Sequence, residues 1–513
     1  MKTAKRAVSL VMATAMTAGL LAGCGGSASS AASSAAGDST SASAGNGGTL
    51  DTSQEVNLVM YVIGDRPAGQ DVADENFNKI IKDKLNCTLT VNWIPWADYA
   101  NKYPLLFSSG EEFDMAYTAT WLNFSSMAQK GAFMSLDDLW PTYAPKNFAA
   151  QSDAAKQQAT VDGHLYCVPT LLATYSAYGP IYRTDIMDGT DWNGKMDTFA
   201  DVEAYCDIVK ATHPELEPLD IYSAGSEWDD TYLYSLGYRS SKGATNDFLF
   251  FDPASDSPKL MTYYEIPETN DFLTMMARWN EKGFFSKSAL SDTDSTKTQN
   301  GKAAMRTHNV DTFSNYAVMH PEYNFQYANL VKNVSHLPYT QDAMVISNTS
   351  KNPERALALW DLITSDQDVF DAFFYGVLDT TYTLNDKGQF KITDPNLYAT
   401  ADMWAARTTE LNRDAAGTPD SYDQWKATFE SAIASNDSAE KYAGFTIDTS
   451  SIETEYAACQ SVHQQYWWPL ELGYTDAATG LADYQAKMEA AGIEKVRTEL
   501  QKQLDAYVSG IKS

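Results

Sequence analysis

Residues 56–93 read VNLVMYVIGDRPAGQDVADENFNKIIKDKLNCTLTVNW, and this stretch decides the fold class. Residues 56–62 and 88–93 are rich in β-branched and aromatic side chains, which predicts two strands. Between them, apolar residues recur at helical spacing at Val72, Phe77, Ile80, Ile81 and Leu85. A strand, helix and strand in this order predict a parallel pair with a right-handed crossover, so we expect an α/β fold.

The residues that follow these strands are the first candidates for a ligand site. Ligands of open α/β sheets bind beyond the carboxyl ends of the strands. Asp65 and Arg66 follow the first strand, and Trp96 follows the second. A third short strand, predicted at 114–117, leads to Trp121. We therefore expect these three strand ends to converge on one edge of the sheet.

The first residues predict export and lipidation. A basic start is followed by an apolar run from 7 to 21 and then by Leu21, Ala22, Gly23 and Cys24. The run is shorter than the roughly 20 residues that a bilayer span needs, and the small residues before the cysteine are typical of a lipoprotein signal peptide. We expect 1–23 to be removed and Cys24 to be lipidated. Residues 24–54, rich in Gly, Ser and Ala, would then be a flexible tether at the extracellular face of the cell membrane.

Composition limits the remaining possibilities. The chain has 513 residues, 44% of them hydrophobic, which is enough for two lobes with substantial cores. Its formal net charge of −30 argues against nucleic acid as a partner. Four further cysteines, Cys87, Cys167, Cys206 and Cys459, have no metal-ligand spacing. We expect free buried thiols and no metal or cofactor, although an extracellular address leaves a disulfide open.

Several short motifs carry a family resemblance. They are GKAAM at 301–305, SKNPERA at 350–356, DGHLYCVP at 162–169, YRTD at 182–185 and AGIEKV at 491–496. Together they resemble the type II extracellular solute-binding proteins of ABC importers, and the last motif is similar to the large-lipoprotein, carbohydrate-type branch. The motifs span nearly all of the exported chain in the expected order.

The resemblance implies an architecture and a function. It implies a periplasmic-binding-protein-like type II fold, with two α/β lobes, a hinge and an interlobe ligand cleft. Crossings near 173, 335 and 367 would place 55–173 and 335–366 in the first lobe, and 174–334 and 367–513 in the second. We expect a monomer that is not an enzyme, and that captures a carbohydrate, most plausibly an oligosaccharide, for ABC permease subunits.

The chemistry of sugars selects the site candidates. Sugars present apolar C–H faces and hydroxyl rims, so their sites combine aromatic rings with planar polar side chains. The aromatic candidates are Trp96, Trp121, Tyr178, Trp228 and Trp404. The polar candidates are Asp65, Arg66, Asp230, Asn309 and Asp379.

Three alternatives stay open from the sequence. The same fold could bind a peptide or another polar solute. A secreted glycan hydrolase could use Glu227 with Asp229 or Asp230 as an acid and base pair. An adhesin or structural lipoprotein would have no function in the cleft at all.

Overall fold

The computed structural model describes residues 50–95, 98–222, 227–243, 246–294, 296–394, 397, 404–436, 438 and 440–511. Thr49–Ser513 forms one compact unit. Within the described residues, no helix combines the length and the apolar content that crossing a membrane would require. The four described cysteines are free and buried, as the sequence predicts.

Strands and helices alternate along much of the chain. The strands are β1 (Val56–Ile63), β2 (Cys87–Ile94), β3 (Met115–Thr118), β4 (Thr160–Val161), β5 (His164–Leu165), β6 (Val168–Pro169), β7 (Gly179–Arg183), β8 (Glu217–Leu219), β9 (Arg239–Ser240), β10 (Phe250–Phe251), β11 (Ala303–His308), β12 (Phe325–Tyr327), β13 (Ala343–Ile346), β14 (Tyr382–Leu384) and β15 (Phe390–Ile392). The α-helices are α1 (Gln70–Leu85), α2 (Tyr99–Ser108), α3 (Phe124–Gln129), α4 (Leu139–Tyr143), α5 (Pro145–Ala150), α6 (Asp153–Gln158), α7 (Phe199–Thr212), α8 (Trp228–Leu236), α9 (Thr269–Lys282), α10 (Val310–Met319), α11 (Pro353–Ile363), α12 (Gln367–Phe374), α13 (Asp420–Ala434), α14 (Glu453–Val462), α15 (Trp468–Glu471), α16 (Ala477–Ala491) and α17 (Ile493–Ile511). A π-helical turn, His463–Trp467, joins α14 to α15.

The first lobe is built on a five-stranded sheet with the order β2-β1-β3-β13-β6. Strands β1 and β2 are parallel, with Val56 opposite Cys87 and Ile63 opposite Ile94. This confirms the predicted strand, helix and strand unit, with α1 between the two strands. Strand β13 returns from later in the chain and pairs antiparallel with both β3 and β6.

The second lobe is built on a four-stranded sheet with the order β12-β7-β11-β8. Strand β11 contains the end of the GKAAM motif and lies between β7, which is antiparallel to it, and β8, which is parallel. Helix α7 begins after Thr198, whose side chain accepts a hydrogen bond from the Asp201 N–H. That bond makes Thr198 the N-cap of α7 and satisfies one of the open N–H groups of the first turn.

Two separate hydrophobic cores correspond to the two sheets. The first core continues through α11 and α12 to Ala406, whereas the second begins at Tyr175 and contains α13, α16 and α17. The predicted boundary at 366–367 is therefore wrong. Helix α12 packs Phe370 and Phe373 into the first core, and the ring of Phe373 lies 5.1 Å from that of Phe77 on α1. Burial of this apolar face keeps α12 in the first core although residues 364–366 separate it from α11.

The chain crosses between the cores in three neighbouring segments. Tyr175 and His336 pair as an antiparallel bridge, and Leu171 pairs in parallel with Thr408. The third crossing thus follows residue 408 and does not lie near 367. Backbone hydrogen bonds between crossing segments form a narrow hinge, which is the geometry that permits two lobes to rotate about a cleft.

Candidate ligand-binding site

An enclosed space near the hinge lies between the two lobes. It consists of a main recess of about 480 Å³ and a side recess of about 140 Å³. We call the two together the cleft, because Thr120, Trp121, Lys242 and Gln460 line both. The main recess is lined by Tyr99, Thr120, Trp121, Tyr178, Lys242, Asn246, Phe248, Gln341, Gln460, His463, Gln464 and Trp468.

The first-lobe wall of the cleft follows the carboxyl end of β3. Trp121 is 36% exposed, and its ring packs edge-on against Tyr99 at 5.6 Å and lies 6.0 Å from Tyr117. The Tyr117 hydroxyl donates to the Asp342 carboxylate at 2.7 Å, which fixes that ring behind Trp121. A large flat ring is thus held by other rings while it faces the cleft.

The second-lobe wall is dominated by the helical segment 453–471. It presents Tyr456, Gln460, Gln464 and Trp468 to the cleft at spacings of four residues, together with His463. The π-helical turn widens this segment in its middle. Such insertions are frequent at functional sites. The sequence analysis missed this wall, and the local signal was the run QSVHQQYWW at 460–468, which is rich in amides and aromatic rings.

His463 has an unusual place in this wall. Its side chain is 3% exposed, and Nδ1 lies 2.9 Å from the Tyr484 hydroxyl in the core. The ring stacks on Tyr263 and Trp467, with interplanar angles of 8° and 15°. Burial, followed by the charge of Lys242, lowers the pKa of His463 to about 3, so the imidazole is neutral at ordinary pH.

A buried carboxylate holds the loop that supplies three further lining residues. Asp247 is 1% exposed. Its Oδ2 accepts hydrogen bonds from the Ser240 and Ser241 hydroxyls and from the Lys242 N–H, at 2.9, 2.8 and 3.1 Å. Its Oδ1 accepts from the N–H groups of the next two residues at 2.8 and 3.3 Å. Lys242, Asn246 and Phe248 are presented to the main recess by the segments on either side of this carboxylate.

The structure places two of the predicted site residues, Trp121 and Tyr178, in the wall of the main recess. Tyr178 is mostly buried, and its ring lies 5.5 Å from that of His308 at the end of β11. The pKa of Tyr178 is raised, chiefly by burial and then by the charge of Glu227, so its hydroxyl stays protonated and neutral. Ligand contact by these two rings remains a prediction.

The prediction for Trp228 is wrong. Glu227 adopts a left-handed conformation with φ of 60°, and α8 begins immediately after it. This turn directs the indole of Trp228 inward, where it is 0% exposed and packs edge-on against Trp279 at 5.4 Å. Trp228 was predicted to stack on the ligand, but the helix start buries the ring in the core.

Asp230 and Asn309 do not line the cleft, and their side chains accept backbone hydrogen bonds instead. Asp230 is fully buried behind the wall, and its Oδ2 accepts the N–H of Asn246 at 3.0 Å. Burial, and next the charge of Asp229, raise its pKa well above the ordinary value. Asn309 caps α10 by accepting the Thr312 N–H at 2.9 Å. Both were predicted ligand contacts, and neither lines a recess of the cleft.

The remaining polar candidates lie at the surface of the first lobe. Arg66 pairs with Asp71 and Asp74 on α1 at 2.7 and 2.8 Å, and Asp65 precedes it in an exposed loop. Asp379 occupies a left-handed turn position with φ of 61°. None of Asp65, Arg66 and Asp379 lines either recess.

Three predicted residues cannot be placed. Trp96 and Cys24 lie outside the described residues, as does the side chain of Trp404. Within the part of the chain that the structure describes, no group of three or more His, Cys, Asp or Glu side chains is arranged to hold a metal ion.

The sequence matches two known family models. The model described as bacterial extracellular solute-binding protein matches residues 68–370, which is more than half of the chain. A second model, a domain of unknown function, matches residues 441–509 and so includes the helical wall of the cleft. A curated relative from Streptococcus pneumoniae serotype 4 is named as a carbohydrate ABC transporter substrate-binding protein. It is 24% identical over 478 residues, which cover 90% of this chain and 93% of that protein.

Solved structures share the fold. The N-glycan transport solute-binding protein of Streptococcus pneumoniae in complex with Man1GlcNAc has a TM-score of 0.74 at 22% identity, covering 89% of this chain and 100% of that one. An HMO-binding, ABC-transporter-associated protein of Bifidobacterium longum infantis has a TM-score of 0.60 at 13% identity, covering 88% and 99%. These likenesses confirm the predicted type II solute-binding fold. With its two lobes, its hinge and a family match over more than half its length, the chain belongs to the bacterial extracellular solute-binding proteins.

Proposed function

We propose that this protein captures a neutral oligosaccharide in the interlobe cleft and delivers it, as a lipid-anchored monomer, to the permease of an ABC importer. The observation that carries the proposal is the composition of the main recess. Its described lining consists largely of aromatic rings and uncharged amides.

The two kinds of lining side chain match the two surfaces of a sugar. Aromatic rings stack on the apolar C–H faces, and amides both donate and accept hydrogen bonds from hydroxyl groups. The rings are Tyr99, Trp121, Tyr178, Phe248 and Trp468, and the amides are Asn246, Gln341, Gln460 and Gln464. A recess of about 480 Å³ lies within the usual range for small-molecule sites.

The same lining disfavours a peptide with free termini. A bound peptide brings an ammonium group, which needs an anionic partner when it leaves water. Among the described lining residues there is a single formal charge, that of Lys242, and no carboxylate. The names of the relatives, which include a carbohydrate-binding protein and proteins of N-glycan and HMO transport, also support a sugar.

The hydrolase alternative loses its acid and base pair. Asp229 accepts hydrogen bonds from the Tyr263 hydroxyl and the Trp467 indole at 2.7 and 2.9 Å, and Asp230 lies behind the wall. Both carboxylates are buried, and neither lines a recess of the cleft. A hydrolytic pair must instead flank the scissile bond of a bound sugar.

Contacts between the lobes support capture by closure. Lys130 pairs with Glu453 at 2.5 Å, and the Gln129 amide donates to Asp448 at 3.2 Å, which joins the end of α3 to the second lobe beside the side recess. These pairs are exposed or half-buried and individually weak. We expect a ligand that contacts both lobes to shift the equilibrium toward the closed form.

Thermal unfolding of the full chain tests the proposed function. The panels are short neutral malto-, cello- and manno-oligosaccharides with Man1GlcNAc, oligouronates, and short peptides. A true ligand at 100 times its Kd adds roughly 2.7 kcal/mol of stability. We expect a shift from neutral oligosaccharides that chromatography recovers intact. Stabilisation by peptides alone would overturn the sugar assignment, and hydrolysis of the sugar would restore the enzyme alternative.

A matched pair of variants locates the binding site. Trp121→Ala removes a ring of the cleft wall and should reduce the ligand-induced shift. Asp379→Asn alters a residue outside both recesses and should leave it unchanged. Equal shifts in the two variants would place the ligand elsewhere.

The lipid anchor is a separate part of the proposal and rests on the motif that ends at Cys24. Expression in a bacterium with lipoprotein processing should give a protein that partitions into detergent and carries acyl chains on Cys24. Cys24→Ser should release the protein into the aqueous phase. A wild-type protein without acyl chains would contradict the anchor and leave the sugar assignment intact.

A further inference from the structure

Three features of His463 indicate a role in the cleft. Its ring lines the main recess, its side chain is nearly fully buried, and no group of the described protein hydrogen-bonds to its Nε2 atom. Buried polar atoms in proteins almost always have a partner, so an unpartnered one calls for a reason.

The orientation of the ring follows from its contacts. Nδ1 is held at 2.9 Å by the Tyr484 hydroxyl on α16, inside the core. Tyr263 and Trp467 stack on each other at 3.7 Å, and the His463 ring lies nearly parallel to both of them, beside this pair. Because Tyr484 occupies the Nδ1 side of the ring, the Nε2 side is the one left to face the recess that His463 lines. The π-helical turn that begins at His463 places it there beside Gln460 and Gln464.

We propose that Nε2 of His463 forms a hydrogen bond with a hydroxyl group of a neutral sugar unit bound in the main recess. This inference rests on the proposed function. A buried polar atom without a hydrogen-bond partner is unfavourable, and a ligand hydroxyl would supply that partner.

The hydrogen-bonding chemistry of the His463 ring indicates that its partner is a hydroxyl group. The low pKa of His463 keeps the imidazole neutral, and a neutral ring carries one donor and one acceptor nitrogen. If Tyr484 donates to Nδ1, Nε2 carries the proton and donates; if Nδ1 donates to Tyr484, Nε2 accepts. A sugar hydroxyl satisfies both cases, whereas a carboxylate satisfies only the first and an ammonium only the second.

Two variants separate the ligand bond from the structural bond. His463→Phe and Tyr484→Phe both remove the contact between the two side chains, but only His463→Phe removes Nε2. We expect His463→Phe to weaken binding of the stabilising neutral oligosaccharide by about tenfold to 100-fold in titration calorimetry. Tyr484→Phe should stay within about threefold of wild type, a difference smaller than one hydrogen bond. His463→Gln, which keeps a hydrogen-bonding group near the Nε2 position, should recover part of the affinity.

A spectroscopic measurement on the wild-type full chain is independent of folding in the variants. The ¹⁵N shift of His463 Nε2 should change when the same oligosaccharide is added, and that of Nδ1 should change little. Equal affinities of the two phenylalanine variants, or an Nε2 signal that does not respond, would overturn the inference. Failure of the wild-type chain to bind any neutral oligosaccharide would instead refute the proposed function.

Discussion

The substitution Asp247→Asn tests how the loop that supplies Lys242, Asn246 and Phe248 to the cleft is held in place. The Asp247 carboxylate accepts hydrogen bonds on both oxygens, three on Oδ2 and two on Oδ1. Asparagine keeps the shape and one acceptor oxygen, but it puts an NH₂ group against the Lys242 N–H or the N–H groups of Phe248 and Leu249. A donor then faces a donor, and at least one backbone N–H loses its partner.

The expected cost follows from these contacts. Hydrogen bonds to a charged group contribute about 1.5–3 kcal/mol, and a buried donor left without a partner costs about 1–3 kcal/mol. If the new amide opposes Oδ2's donors, the Ser240 and Ser241 hydroxyls can rotate and accept from it, which returns part of this energy. We expect a net loss of about 2–3 kcal/mol. For a lobe of this size that corresponds to a fall of roughly 5–10 °C in the Tm of the transition that reports the second lobe.

Differential scanning calorimetry measures the change, and Asp252→Asn is the control. Asp252 lies in an exposed turn, where its carboxylate accepts one backbone N–H at 2.9 Å, so its substitution should stay within about 0.5 kcal/mol. We also expect Asp247→Asn to weaken oligosaccharide binding, since the loop supplies Lys242, Asn246 and Phe248. A Tm for Asp247→Asn equal to that of Asp252→Asn would refute the account of the loop given above.

Three further predictions concern single side chains. Trp121→Ala should weaken binding about tenfold in titration calorimetry, because a stacked ring contributes roughly 0.5–1.5 kcal/mol; unchanged affinity would exclude stacking. Trp228→Phe should lower the free energy of unfolding by roughly 1–3 kcal/mol and leave the binding affinity unchanged, because the indole lies in the core. A large loss of affinity at an unchanged Tm would show instead that Trp228 belongs to the binding site. Burial lowers the pKa of His336, but hydrogen bonds and charges from Glu440 and Glu430 outweigh burial and raise it above 6.5. The protonated ring therefore stabilises the hinge below about pH 6.5, and this contribution is lost as pH rises through the raised pKa, so Tm should fall more steeply with pH than in His336→Gln; parallel pH profiles would contradict it.

Local sequence patterns predicted the structure correctly where residues close together in sequence determine it. The strand and helix of 56–85 occupy the expected positions, and Thr198 caps α7. These features depend on side-chain periodicity and on hydrogen bonds within one turn. Trp228 shows where local pattern fails, since it was predicted to bind the ligand although the left-handed Glu227 starts a helix that buries its ring.

The site depended on contacts that no local pattern contains. Trp121 and His463 line the same recess although more than 300 residues separate them. Which amides of the run 460–468 face the cleft is set by the π-helical turn and by core partners such as Tyr484. A ligand wall formed by residues from both lobes can be recognised only after the lobes have been packed.

The sequence by itself was enough to predict the α/β class, the family and the signal at Cys24, because each prediction depends only on short motifs and on side-chain periodicity. Tertiary structure alone decided that α12 belongs to the first core and that the chain crosses for the third time after 408. It also decided that Asp230 supports Asn246 from behind the wall. The physical reason is that burial depends on how surfaces pack together. Which side of a helix or loop faces the ligand is therefore determined by the elements that cover its other sides.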